Sequence, residues 1–291
     1  MPNYCMKTIG IVGLGRMGSG MCNNLSRKGY QVLGYDVNPD SYNRCHVIPV
    51  EISQMAEQAD VIILSLPTGA EVKQALEKLK GFKGTIVDTT TLSVDETLQI
   101  LDQISFCLDY FTCRLERGPK EANEGTLALY CGGDRQTYEK LSPLLSDLGE
   151  HVYLGSHVQA TMVKLLGNII GTVMVVLNGE ISSIMRSIGL DPELAARALS
   201  MGGANNAQLF RLVWQVRGEH QESFSLDLAQ HVVEMAIESS KRYGVKYLPL
   251  TELANGLMIT AKSLGFGRKD VSEVSKLMDL INSTRKEVEK K

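Results

Sequence analysis

The stretch Thr8–Met21, TIGIVGLGRMGSGM, decides the fold. It joins a short apolar run to three glycines, Gly13, Gly15 and Gly18, that open a helical pattern. Each glycine answers a different requirement. Gly13 permits a tight turn after a strand, Gly15 lets the backbone approach a pyrophosphate, and Gly18 lets the helix pack closely on the strand. The first turn of the helix then aims unpaired N–H groups at phosphate. Such spacing is weak evidence by itself, but here QVLGYD (Gln31–Asp36) follows as a second strand and ends in an acid at about the ~20-residue separation that a ribose contact requires. The run Gly13, Leu14, Gly15, Arg16, Met17 and Gly18 is therefore the expected cofactor-binding turn. Asp36 would accept hydrogen bonds from ribose hydroxyls and repel a 2′-phosphate, which favours NAD over NADP. The alternative is that Asp36 caps a turn before Asn38 and Pro39; no arginine directly follows it, and Arg44 is the nearest.

Outward from that motif, short β-rich runs alternate with helical patterns as far as Gly155, the signature of βαβ units and a mostly parallel sheet. The expected strands are TIGIVG, QVLGYD, VIILSL, TIVDTT, FCLDY, LALYCG and HVYLG, with helices such as Met17–Lys28 and Glu71–Lys80 between them. Beyond Gly155 the β signal fades. A long helix is expected from His157 to Ile188, stopped by Gly189, with a new helix capped by Asp191 and begun by Pro192. Its middle is apolar on every side, which predicts burial on all faces, either within the second domain or against another subunit. The expected architecture is α/β, with a dinucleotide-binding domain over residues 1–155 followed by an all-helical domain over 156–291.

The chain has 291 residues, enough to bury roughly three-quarters of its unfolded surface. With 44% hydrophobic residues, 22% charged residues and a net charge of -3, nothing calls for nucleic acid or an anionic membrane as partner. Six cysteines occur without a CxxC pair or histidines at metal spacing, so free thiols and no metal are expected. The opening residues carry no secretory apolar run, and the apolar stretch Leu165–Leu177 falls short of the ~20 residues of a membrane span. A cytoplasmic location is expected.

Within the long helix, Lys164 stands among Met162, Val163, Leu165 and Leu166, where a charge is costly unless it faces a cleft or a partner. Asn168, four residues on, projects from the same face, and Gly171 leaves room beside them. A desolvated lysine exchanges protons more readily, as needed by a group that takes or returns a hydroxyl proton while hydride moves. The alternative is a lysine that snorkels to a surface.

These features together resemble the β-hydroxyacid dehydrogenase family. The carriers are GLGRMGSGM, LSLP (Leu64–Pro67), VDTTTLS (Val87–Ser93), the strand ending at Asp109, GTL (Gly125–Leu127) and GSHVQATMVKLLGN (Gly155–Asn168). The resemblance spans essentially the whole chain. It implies a Rossmann domain joined by a long helix to an all-helical domain, and a nicotinamide cofactor. By it, Lys164 would be the catalytic acid/base and Asn168 would orient substrate; Thr91 would lie at the nicotinamide, with Leu66 and Pro67 lining its path. A small anionic substrate and a homodimer or homotetramer packed through the helical domain are likewise implied.

Two departures stand out. The family's substrate loop runs close to DAPVSGG before GTL, whereas here Asp109 is followed by YFTCRLERGPKEANEGTL. The pattern's serine falls on Cys113 and its glycines on Arg114 and Leu115. Cys113 and Arg114 are therefore candidate substrate contacts. Arg114 either grips a carboxylate, sulfonate or phosphate with its planar fork, or belongs to a solvated basic tip with Arg117 and Lys120. The second departure is His231, which stands where the resemblance implies a lysine near the nicotinamide; it could donate a hydrogen bond there or simply pack. The expected function is hydride transfer between NAD and a small β-hydroxy acid or its semialdehyde. An imine-reducing relative and a cofactor-binding module without turnover are the alternatives.

Overall fold

The central strands are buried along their whole length because the sheet they build is covered on both faces. All residues of Val61–Leu64 and Thr85–Asp88 are buried. The computed structural model describes residues 6–104 and 109–288, so Cys5 and Cys107, with Phe106 and Leu108 of the FCLDY run, lie outside the described residues. In chain order the elements are β1 (Thr8–Val12), α1 (Arg16–Arg27), β2 (Gln31–Tyr35), β3 (Ile48–Pro49), α2 (Ile52–Gln58), β4 (Val61–Leu64), α3 (Gly69–Lys78) and β5 (Thr85–Asp88). There follow α4 (Val94–Ile104), β6 (Asp109–Glu116), α5 (Pro119–Glu124), β7 (Leu127–Gly132), α6 (Arg135–Leu148) and β8 (Gly149–Tyr153). The remainder is helical: α7 (His157–Ile188), α8 (Pro192–Ser200), α9 (Leu209–Arg217), α10 (Leu226–Lys241), α11 (Pro249–Ala261) and α12 (Val274–Val288).

The eight strands form one sheet in the order β3-β2-β1-β4-β5-β6-β7-β8. Every pairing is parallel except β6 with β7, which run antiparallel with Cys113 opposite Cys131 and Arg114 opposite Tyr130. The chain winds outward from β1 in one direction and then from β4 in the other. The crevice beyond the carboxyl ends of β1 and β4 is thus the switch point at which such sheets bind ligands. One apolar core lies on each face: Met21, Leu25, Phe111, Leu129 and Leu145 contribute to the first, and Met55, Leu76, Ile86 and Ile100 to the second.

The stretch Phe111–Asn123, expected as a loop, is strand and helix instead. β6 continues to Glu116, Arg117 turns the chain with a positive φ of 75°, and Pro119 starts α5 with the Glu121 carboxylate accepting from the Gly118 amide at 2.9 Å.

Compact packing groups Met1–Lys164 and Leu165–Lys291 as two units, dividing the chain within α7. The first two turns of α7 belong with the sheet. In the second unit, Val176 of α7 packs with Leu226, Val233, Met258 and Leu277, and Gln215 donates to the carbonyls of Val175 and Ser272, both at 3.1 Å. Asp270 is buried and accepts from the amides of Ser223, Phe224 and Ser272. The expected cap is present, since Asp191 accepts from the Leu194 amide at 2.7 Å.

Within the single chain α7 is not covered on every face. Leu166, Ile170, Leu177, Ile184 and Ile188 are exposed, and their spacing of four and seven places them on one stripe. Among the described residues α7 is the one helix long and apolar enough to cross a bilayer, a measure that core helices of soluble proteins also meet.

Candidate active site

At the glycine turn the backbone leaves no room for side chains in two places and open room in a third. Gly13 has φ of 95°, and a Cβ there would lie 2.2 Å from the Ser65 carbonyl oxygen; at Gly18 it would lie 1.9 Å from that of Gly13. At Gly15 a Cβ would meet nothing within 4 Å, so the space in front of it is free. Gly15 is also the N-cap of α1 and offers no side-chain cap, which leaves the first-turn amides available to an anion. This cradle, with Leu14 buried behind it and Arg16 exposed in front, fits the pyrophosphate of a dinucleotide. Met17 packs partly buried against the core below.

Asp36 holds the turn together. Its Oδ2 accepts from the Leu14 amide at 2.6 Å and its Oδ1 from the Asn38 amide at 2.8 Å. The turn-capping reading is therefore realised, and each oxygen keeps a further lone pair for a ribose hydroxyl. Beyond β4, Leu66 is half-buried, its amide 3.4 Å from Thr90 Oγ1, while Pro67 is exposed. Beyond β5, Thr89 and Thr90 are buried and Thr91 is half-buried. These residues all sit at the carboxyl edge of the sheet.

The first turns of α7 are bound to β6 by three polar rungs. On the strand, Thr112, Arg114 and Glu116 alternate onto one face; on the helix, His157, Thr161 and Lys164 are spaced by four and three. Thr112 Oγ1 meets His157 Nδ1 at 3.0 Å, Arg114 Nε approaches Thr161 Oγ1 at 3.3 Å, and Glu116 Oε1 lies 3.1 Å from Lys164 Nζ. The two spacings match because two strand residues advance about 6.8 Å and four helical residues about 6.0 Å.

Arg114 is 1% exposed, and its guanidinium is committed inside the protein. Nη1 donates to Asp88 Oδ2 at 2.6 Å and to the Thr90 carbonyl, and Nη2 approaches Thr97 Oγ1 at 3.4 Å. Asp88 is itself fully buried and accepts from the Tyr110 hydroxyl at 2.7 Å and the Thr90 amide at 3.0 Å. Burial pushes the Tyr110 phenol well above its ordinary range, with the Asp88 charge adding to it. Arg114 is thus neither a solvated basic tip nor a group presented to a substrate head group. A planar cation sealed from water needs its own anion, and Asp88 supplies it. Cys113 is corrected in the same way: its side chain points to the opposite face of β6, fully buried in the core beside Cys131. The hydrogen bond with Cys131, and then burial, push its thiol well above the ordinary range, which makes it an inert packing residue.

Lys164 is 13% exposed and Glu116 28% exposed. Glu116 Oε1 is close to the ammonium in distance, but the pair falls outside hydrogen-bonding angles, so that oxygen retains unused acceptor capacity. Asn168, half-buried in α7, and His231, exposed on α10, belong to the second unit. Sequence reasoning missed Glu116, Asp88, Thr97, Thr161 and His157. The available signal was the period-two recurrence of Tyr110, Thr112, Arg114 and Glu116.

The family model describing the NAD binding domain of 6-phosphogluconate dehydrogenase matches residues 8–157, and that describing the NAD-binding domain of NADP-dependent 3-hydroxyisobutyrate dehydrogenase matches residues 159–278. The chain belongs to the β-hydroxyacid dehydrogenase family. It is 28% identical over 286 residues to the 2-hydroxy-3-oxopropionate reductase of Escherichia coli (strain K12), covering 94% of this chain and 97% of that one. It is 26% identical to the 3-sulfolactaldehyde reductase of the same organism, over 92% of this chain and 95% of that one. Among solved structures, the 3-hydroxyisobutyrate dehydrogenase of Mycobacterium tuberculosis with L-serine superposes with a TM-score of 0.82 at 22% identity, over 94% and 99% of the two chains, and shows the common fold. Membership in this dehydrogenase family accounts for both the glycine cradle and a nicotinamide cofactor.

The first rung carries a pH signature. Burial, aided by the Arg114 charge and opposed by Asp88, pushes the His157 ring down to about 4. An unfolded histidine titrates near ~6.5. Between those values the unfolded chain takes up a proton that the native ring refuses, so stability falls as pH drops from about 6.5 to 4, by up to about 3 kcal/mol. Urea unfolding of wild type and His157→Gln at pH 7 and pH 4.5 should show the smaller pH-dependent loss in the variant; equal losses would rule the account out.

Proposed function

We propose that this protein is an NAD-dependent oxidoreductase acting on a small β-hydroxy acid or its semialdehyde, with Lys164 as general acid/base. The observation that carries the reading is Lys164 itself, 13% exposed on α7 with Glu116 as counter-ion, in a chain whose glycine cradle fits a dinucleotide. Relatives named as reductases of 2-hydroxy-3-oxopropionate and 3-sulfolactaldehyde support the substrate class. The bound nicotinamide would accept or supply the hydride. Lys164 Nζ would take the hydroxyl proton in oxidation and return it to the carbonyl oxygen in reduction. Asn168, one turn along α7, would orient the substrate. Thr91, Leu66 and Pro67 would border the nicotinamide, and His231 could add a donor to the cofactor. Lys164→Ala should reduce kcat for an active semialdehyde by about 10²-fold or more while cofactor binding persists. Undiminished turnover would remove Lys164 from the mechanism.

Asp36 supports NAD over NADP, because a fixed carboxylate at the end of β2 repels a 2′-phosphate. Asp36→Asn removes the charge at nearly the same shape and keeps one acceptor oxygen, so one of the Leu14 and Asn38 amides loses its partner. The ratio of kcat/KM for NAD over NADP should then fall about tenfold, a change of ~1.4 kcal/mol; an unchanged ratio would assign the preference elsewhere.

The exposed stripe of α7 supports a homodimer or homotetramer assembled through the helical domain. Light scattering should report an oligomer at micromolar concentration, and Leu177→Arg should lower its mass. A monomeric wild-type protein would contradict this.

A further inference from the structure

We infer that Arg114 is a positioning residue that couples the segment bearing Thr91 to the helical turn bearing Lys164. The inference rests on the proposed roles of those two residues and assigns Arg114 no contact with substrate. Its basis is the distribution of one guanidinium over three elements. Toward β5 and the segment after it, Nη1 donates to Asp88 Oδ2 at 2.6 Å and also to the Thr90 carbonyl. Asp88 Oδ1 meanwhile accepts from the Thr90 amide at 3.0 Å. Thr90 is therefore held at both its N–H and its C=O by the same ion pair, immediately before Thr91. Toward α4, Nη2 approaches Thr97 Oγ1 at 3.4 Å. Toward α7, Nε approaches Thr161 Oγ1 at 3.3 Å, three residues before Lys164. Thr97 and Thr161 close the ring through a hydroxyl pair at 3.2 Å.

The geometry needs arginine in particular. A lysine could pair with Asp88, but its single ammonium has neither the rigid fork nor the reach to hold the Thr90 carbonyl and both threonine hydroxyls at once. The linkage is also stiff, because Asp88 and Arg114 are both sealed from water and no solvent can substitute for a lost partner. A small displacement of either segment would change the distance between a proton-transferring group and the carbon it serves, and displacements near 1 Å can lower rates about 10²-fold.

The test compares wild type with Arg114→Lys, which retains the charge opposite Asp88, and with the doubly neutral Asp88→Asn/Arg114→Met, which leaves no unpaired buried charge if the single variant folds poorly. Hydrogen exchange followed by mass spectrometry is read on peptides covering residues 89–97 and 157–168. Exchange should rise in both peptides together while those of β1 and β2 stay unchanged. With an active substrate, kcat should fall tenfold or more with the Kd for NADH within about twofold. Exchange rising in only one peptide, or in neither, overturns the coupling, as does kcat at the wild-type level. If wild-type protein turns over no substrate, the proposed function fails, and the exchange result alone decides whether Arg114 couples the two segments.

Discussion

A guanidinium removed from water is tolerable only where an opposite charge and fixed acceptors surround it. The contact between Arg114 and Asp88 meets that condition at the centre of the first unit, with exposures of 1% and 0%. Truncating one partner of such a pair is strongly destabilising, at about 3–5 kcal/mol, yet replacing both by apolar groups is often neutral. The pair ties β6 to the end of β5. Alternation along β6 sets Thr112 and Glu116 on the same face as Arg114, where they meet His157 and Lys164. Lys164 is placed by this arrangement. It is the third rung of a ladder whose middle rung cannot slip without stranding a buried charge.

Much of the fold was legible because its requirements are local. A strand covered on both faces reads as an apolar run, and Gly13 and Gly18 announce a turn that no side chain could enter. α7 was legible to the residue at both ends, since Gly155 and Gly189 bracket it in positive φ. β3 escaped notice because two residues at a sheet edge, one of them Pro49, carry no period. β6 was misread for a deeper reason. A strand with a buried polar face, Thr112 and Arg114, looks in sequence like a loop, because polar residues announce exposure unless their partners are known. Asp88 lies 26 residues away, in a segment whose own pattern reads as cofactor-facing. The glycine cradle was legible because chemistry and local geometry coincide there, whereas a side chain defined by a distant partner, as Arg114 is by Asp88, was not.

Cys113 shows the same limit from the other side. Period two along β6 puts it with Phe111 and Leu115 in the core, directly opposite Cys131 on β7. Alignment to a family loop assigns it a place beside substrate, but a one-residue step along a strand reverses the face. The strand's extension to Glu116 therefore decides the matter. Once the backbone is paired with β7, alternation fixes every side chain on it.

The same extension explains how this chain keeps a lysine on an otherwise apolar stretch of helix. Where the resemblance implies small residues and a loop of free backbone amides, β6 spends those amides on pairing with β7 and delivers a carboxylate at its last position. Glu116 then serves as a fixed counter-ion to Lys164. Glu116 thus supplies the opposite charge that a lysine only 13% exposed on α7 requires.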